Sequence, residues 1–181
     1  MVRGLHNERG FSLTELMLTV TVAATLAGIG VPVYLNVTES AKLNGAAREI
    51  EREFQSARLH AVSANRSLRV RMNCPTNGYY RTVEYLATAA DNASNRCLVS
   101  AYPFPADDDV TTRPNYDGPP RVLPLGATVT STVLEFRSDG TAYQVVNNVA
   151  QPIATEVTVT VTRNSKSKVL RVNASGKIQL Q

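Results

Sequence analysis

The chain has 181 residues, two cysteines, no tryptophan and a formal charge of +4, with 43% hydrophobic and 19% charged side chains. Once a short leader and one apolar segment are set aside, that length leaves one globular domain rather than two. The charge excess is too small to imply a nucleic-acid partner by itself, and two histidines, one of them in the leader, leave little for acid–base or metal chemistry.

In chain order, a polar leader containing Arg3, Glu8 and Arg9 ends at Gly10. Phe11-Ser12-Leu13-Thr14-Glu15-Leu16-Met17 then opens a run to Leu35 whose only charge is Glu15. As a helix that run would reach about 37 Å, enough to cross a hydrocarbon core of about 30 Å with some tilt. An acid inside such a run costs about 2.5–3.5 kcal/mol on insertion scales, so Glu15 calls for a partner. A secretory signal or a plain single-pass anchor shares the basic start and the apolar run. A secretory apolar region, however, is about 7 to 15 residues long and is cut at its far end, whereas this run is longer and lacks a clear small-residue cleavage site. Gly28, Gly30 and Pro32 allow two readings: a bend where proline removes a hydrogen bond, or residues simply common in membrane helices.

The helical pattern continues past the apolar run. Leu43, Ala47, Ile50, Phe54, Ala57 and Ala61 recur at alternating spacings of four and three, with Lys42, Arg48, Glu49, Glu51, Arg52 and Glu53 on other faces. This amphipathic half should pack one stripe against a sheet. After Asn65 the period changes to two, predicting strands over 67–72, 79–86, 132–137, 141–146, 156–163, 168–173 and 177–180. Ser138-Asp139-Gly140 predicts a tight hairpin, Asp-Gly supplying positive φ angles, and Ala174-Ser175-Gly176 a second turn. Pro103, Pro105, Pro114, Pro119, Pro120 and Pro124 mark a long surface loop between Tyr102 and Pro124. Cys74 and Cys97 lie beyond the apolar run, where an exported head meets an oxidising compartment, so a disulfide is the default. Such a bridge closes a loop worth about 3 kcal/mol on the chain-entropy model. Free thiols are the alternative; a zinc site lacks its paired Cys and His spacing.

Gly10, Phe11, the spacing to Glu15 and the apolar run together resemble the processing site of a type IV prepilin. The resemblance implies that a prepilin peptidase cuts after Gly10 and methylates the new amino terminus on Phe11. It also implies that Glu15 pairs with the amino-terminal charge of a neighbouring subunit, a pairing that can compensate a carboxylate away from water. Ala57-Arg58, Ala61-Val62 and Asn65-Arg66, then Phe136-Arg137-Ser138-Asp139-Gly140, then Val172-Asn173-Ala174-Ser175-Gly176-Lys177-Ile178, taken in order, are similar to the GspH/FimT family. Its members are minor pilins or minor pseudopilins near the filament tip.

The implied fold is α+β and pilin-like: a long N-terminal helix, membrane half plus amphipathic half, packed on an antiparallel β-sheet head. The expected organisation is a cleaved leader over 1–10, a transmembrane and assembly half over 11–37, and a periplasmic head over 38–181 anchored in the bacterial inner membrane. The expected function is assembly of a type IV pilus or type II secretion pseudopilus, with other pilin or pseudopilin subunits as partners and neither catalysis, cofactor nor metal. His60 has no nucleophile or metal partner nearby in sequence. The Asp107-Asp108-Asp109 run with Asp117 lacks the ligand spacing of an EF-hand and reads as a solvated loop. Four Asn-x-Ser/Thr sequences, at Asn36, Asn65, Asn92 and Asn173, read as chance in a prokaryotic chain. The alternative function is DNA uptake, motivated by Arg163, Lys166, Lys168, Arg171 and Lys177, which follow Glu156 with no later acid. Some FimT-like pilins bind DNA near the terminal glycine turn, but here Gln179 stands where a second cation is expected. The competing reading of the same cations is protection of an exposed strand edge.

Overall fold

The computed structural model describes residues 11–104, 116–124 and 126–181. Gly10 and the Asp107-Asp108-Asp109 run therefore lie outside the described residues. The chain divides into two compact units, one ending at Thr38 and the other spanning Glu39–Gln181.

Helix α1 spans Leu13–Ala64. Ser12 precedes its first residue; its backbone carbonyl accepts the amides of Glu15 and Leu16 at 3.1 Å, and its hydroxyl lies 2.6 Å from Thr14 Oγ1. Side chains from Phe11 to Val37 are exposed. Thr19, Thr21, Thr25 and Thr38 donate their hydroxyls to the carbonyls of Leu16, Met17, Val22 and Leu35 at 2.8–2.9 Å. These bonds satisfy hydroxyls that a lipid environment could not. The helix continues through Pro32 without a break. It ends at Asn65, whose φ of 52° is left-handed. Asn65 N–H reaches the Val62 carbonyl at 3.3 Å and Arg66 N–H the Ala61 carbonyl at 3.0 Å, the paired bonds of a Schellman stop.

The head holds two antiparallel sheets. The first comprises β1 (Leu68–Met72), β2 (Tyr79–Glu84), β3 (Arg121–Val122), β5 (Val133–Phe136), β6 (Ala142–Val146) and β7 (Val149–Pro152), in the order β3-β2-β1-β5-β6-β7. The second comprises β4 (Thr128–Val129), β8 (Glu156–Arg163), β9 (Lys166–Asn173) and β10 (Ile178–Leu180), in the order β10-β9-β8-β4. Alternation turns Val157, Val159 and Val161 of β8, with Leu170 and Val172 of β9, into the core. Both sheets join the stripe Leu43, Ala47, Ile50, Phe54, Ala57 and Ala61 in one apolar cluster. Four alanines in the stripe and its flank, Ala46, Ala47, Ala57 and Ala61, are buried and keep the helix surface low, leaving Phe54 to project against Phe136 with ring centroids 6.2 Å apart.

The seven expected strands are present, with ends moved by one or two residues. Three expectations need correction. Glu53 is not on a solvent face: it is buried, takes the Thr82 hydroxyl at 2.5 Å and pairs with Arg121 at 3.1 Å. The stretch to Pro124 is not all loop, because Arg121–Val122 adds an edge to β2 and Leu123 is buried. The turn at Ser138-Asp139-Gly140 is a three-residue loop with only Gly140 at positive φ, 81°; Asp139 accepts from the Thr141 amide at 2.9 Å and hydroxyl at 2.6 Å. The two-residue hairpins with both residues left-handed fall instead at Asn147-Asn148 and Asn164-Ser165, which adds β7 to the strand set.

Phe54→Ala should leave a cavity between helix and first sheet and destabilise the head by about 3–5 kcal/mol. Chemical denaturation of the purified protein measures this.

Candidate assembly helix and the head that carries it

Glu15 sits in the first turn of α1, where a negative charge meets the positive end of the helix dipole. It is exposed, and among the described residues no cation or hydrogen-bond donor engages its side chain. Around it Leu13, Leu16, Met17 and Leu18 are exposed as well, and Phe11, just before the helix, is 77% exposed. Among the described residues α1 is the helix long and apolar enough to cross a membrane. A carboxylate on such an apolar surface is costly in lipid unless a counter-charge neutralises it.

The head is clamped by buried arginines on the face of the first sheet turned away from α1. Arg81 donates to the carbonyls of Gly118, Cys97 and Tyr102 at 2.8, 3.3 and 2.7 Å. Arg96 pairs through both terminal nitrogens with Asp117, donates to the Glu84 carbonyl at 2.8 Å and stacks over Tyr102. Asp117 also takes the Glu84 amide at 2.8 Å. It is buried, which corrects its reading as part of a solvated loop. Arg69 binds Glu135 at 2.9 Å beneath the Tyr85 ring. Burial, and then the charges of Arg69 and Arg96, lower the pKa of Arg71; burial lowers that of Arg81. The Cys74–Cys97 disulfide, with Cα atoms 5.4 Å apart, ties the end of β1 to the residue after Arg96. Bridge and ion pairs hold the same loop, residues 85–104 and 116–118, onto the sheet.

Two further latches fasten α1 to the second sheet. At one end Glu39 receives Arg163 Nε and Asn164 Nδ2, each at 2.8 Å, and Lys42 Nζ at 3.2 Å; Lys166 Nζ lies 3.2 Å from Ser40 Oγ. At the other end Arg58 donates to the Gly140 carbonyl at 2.9 Å and the Ser175 carbonyl at 3.0 Å, while Ala142 N–H reaches the Ala174 carbonyl at 2.9 Å. Gly176 has φ 73°, and a Cβ there would collide with the Gly140 carbonyl and the Arg58 side chain. Ser40 and Arg58 are separated by about 27 Å of helix, a span that an eight-residue strand at about 3.3 Å per residue matches. The β8–β9 hairpin therefore lies along the helix, its Asn164-Ser165 tip at Glu39.

The five carboxy-terminal cations do not share a surface. Arg163 is latched to Glu39 and Lys166 reaches Ser40, with Lys168 two residues along β9 from Lys166. Arg171 alternates to the outer face, pairing with Glu156 at 3.2 Å, and Lys177 lies in the turn at the far end of the hairpin. His60 is exposed on α1. Among the described residues, no three His, Cys, Asp or Glu side chains gather as a metal site would require.

An apolar, exposed helical half carrying one acid, continued by an amphipathic half under an antiparallel head, defines a pilin-like filament subunit. The chain belongs to the GspH family: the family model for type II transport protein GspH matches residues 46–176, and the prokaryotic N-terminal methylation motif matches residues 5–31. Among solved structures it is similar to the type IV minor pilin FimU of Pseudomonas aeruginosa, at 20% identity and TM-score 0.49, covering 80% of this chain and 92% of that one. It is also similar to the minor pseudopilin EpsH from the Type 2 Secretion System of Vibrio cholerae, at 10% identity and TM-score 0.44, covering 77% and 96%. No curated protein matches its sequence. The methylation motif ties the chain to prepilin peptidase processing and to assembly with pilin-like subunits.

Asp117→Asn should cost about 3–5 kcal/mol, because it leaves Arg96 and Arg81 buried without their counter-ion. Equilibrium unfolding against the parent protein gives the number. The Glu39 latch sets an acid limb: the hydrogen bonds from Arg163 and then Lys42 hold its carboxyl at about 2, below its ordinary 4.5. The folded state thus binds this proton less readily than the unfolded one. The stability it contributes is complete above pH 4.5 and is lost as pH falls toward about 2. Glu39→Gln should flatten the stability profile across that window and leave its shape unchanged at neutral pH, as read by denaturation at a series of pH values.

Proposed function

We propose that this chain is a minor pilin or pseudopilin that helps initiate a type IV pilus or type II secretion pseudopilus from a position near the filament tip. The observation that carries the reading is Glu15, an exposed acid with no counter-charge among the described residues, in an apolar helix that begins within a methylation motif. Cleavage after Gly10 frees an α-amine on Phe11 with an ordinary pKa of about 7.7–8.0, cationic at neutral pH. In a helix array the amine of one subunit meets Glu15 of the next and neutralises it in lipid, so the charge pair favours association over the isolated subunit. Residues 11–37 span the inner membrane before extraction into the filament, and residues 38–181 stand on the periplasmic side. The head performs no chemistry; it presents contacts to neighbouring minor subunits.

Two substitutions, introduced in cells that carry the cognate assembly system, separate the steps. Gly10→Phe should leave a precursor heavier by the mass of the leader, seen by intact-mass measurement. Glu15→Ala should be processed to the mature mass and remain in the membrane, while piliation or secretion falls at least about tenfold, as for a lost buried charge pair. Normal filament output from the Glu15→Ala strain would remove the assigned role.

A further inference from the structure

We propose that the tip of the β8–β9 hairpin, with Lys42 of α1, is a docking surface for anionic phospholipid headgroups, engaged while the subunit waits in the membrane. The inference rests on the membrane-anchored reading above and assigns a partner to cations that DNA would otherwise claim.

Covalent continuity sets the depth of this surface. The uncharged run ends at Thr38, and Glu39 is the first charged residue after Glu15. Lys42 stands five residues beyond Val37, about 7.5 Å along a helix. The headgroup layer on each side of the hydrocarbon is roughly 5–7 Å thick, so residues 39 to 42 fall at its level. The latches bring the hairpin tip to the same level, since Arg163 and Asn164 bond Glu39 and Lys166 bonds Ser40.

Charge then selects the partner. Lys42, Arg163 and Lys166 gather at the hairpin tip around one carboxylate, Glu39, which Lys42 and Arg163 share while Lys166 reaches Ser40, and half-buried Lys168 follows two residues along β9. The next acids along the two elements are remote: Glu49 is about 15 Å up the helix and Glu156 about 23 Å down β8. Lys42 has a side chain 53% exposed and Lys166 is exposed; each holds one partner at the surface, Glu39 and Ser40, and keeps further ammonium donors to turn outward on a long stem. A basic surface held at headgroup depth gains on the order of fivefold in affinity for each lysine near an anionic leaflet. Duplex DNA is the weaker fit, because Arg171 and Lys177, which would extend the track, lie on the outer face and at the opposite end of the hairpin.

The test is lysine acylation of the full mature chain in nanodiscs, read residue by residue by mass spectrometry. Discs of phosphatidylcholine alone are compared with discs containing phosphatidylglycerol, with Lys177 as the internal reference. The expected result is that Lys42, Lys166 and Lys168 react about fivefold more slowly in the phosphatidylglycerol discs, that salt abolishes the difference, and that Lys177 is unchanged. Equal rates in both discs would overturn the proposal and leave the anchored reading intact. Failure of the chain to enter discs at all would sink both. Protection of Lys166 and Lys177 together by an added DNA duplex, with no lipid dependence, would overturn it in favour of nucleic-acid capture.

Discussion

The stripe from Leu43 to Ala61 is the surface on which the head depends, because both sheets bury against it and share one apolar cluster with it. A helix that presents alanine at half of those positions offers little relief, so the sheets seat closely and one large residue, Phe54, fixes how they pack. The polar contacts at the stripe's margins act as positional locks more than as sources of stability. Glu39 and Arg58 hold the β8–β9 hairpin along the helix from opposite ends, and Glu49 and Glu53 bind Tyr80 and Thr82 of β2. Burial and the hydrogen bond to Glu49 push the Tyr80 hydroxyl pKa well above its ordinary value, keeping it a neutral donor.

The same helix answers to two environments. Over its first half the side chains are apolar and uncovered, and threonine hydroxyls are folded back on the backbone. Over its second half one face is protein core. A filament subunit needs both, since its helix must be soluble in lipid before assembly and in a bundle of like helices afterwards, while the head stays folded throughout. The arginine layer, ion pairs and disulfide on the far side of the first sheet serve that second need: they fasten residues 85–104 and 116–118 onto the sheet.

The apolar run, Glu15 and the cleavage-like junction are local patterns, readable because a membrane helix has to be written into consecutive residues. The helix stripe was readable for the same reason, as were the strands whose alternation is unbroken, such as Glu156–Arg163. Arg69, Arg71 and Arg81 alternate like a solvent-facing set, and nothing in that pattern says that Asp117, Glu135 and a loop will cover them. Glu53 looked like another exposed acid in a charged helical segment until β2 supplied Thr82. Arg121–Val122 and Thr128–Val129 are too short to carry a period, and exist because a neighbouring strand offers an unpaired edge.

Periodicity and charge along the chain suffice to place the passage from apolar to amphipathic helix and then to sheet, because each is written in neighbouring residues. The tertiary structure decided which cations are free. Five of them look alike at the carboxy terminus, yet Arg163 is latched to Glu39, Arg171 to Glu156, and Lys166 stands beside Ser40 some 126 residues away in sequence. A charge acquires its meaning from what lies within a few ångströms, and for residues so far apart along the chain only the packed fold sets that distance.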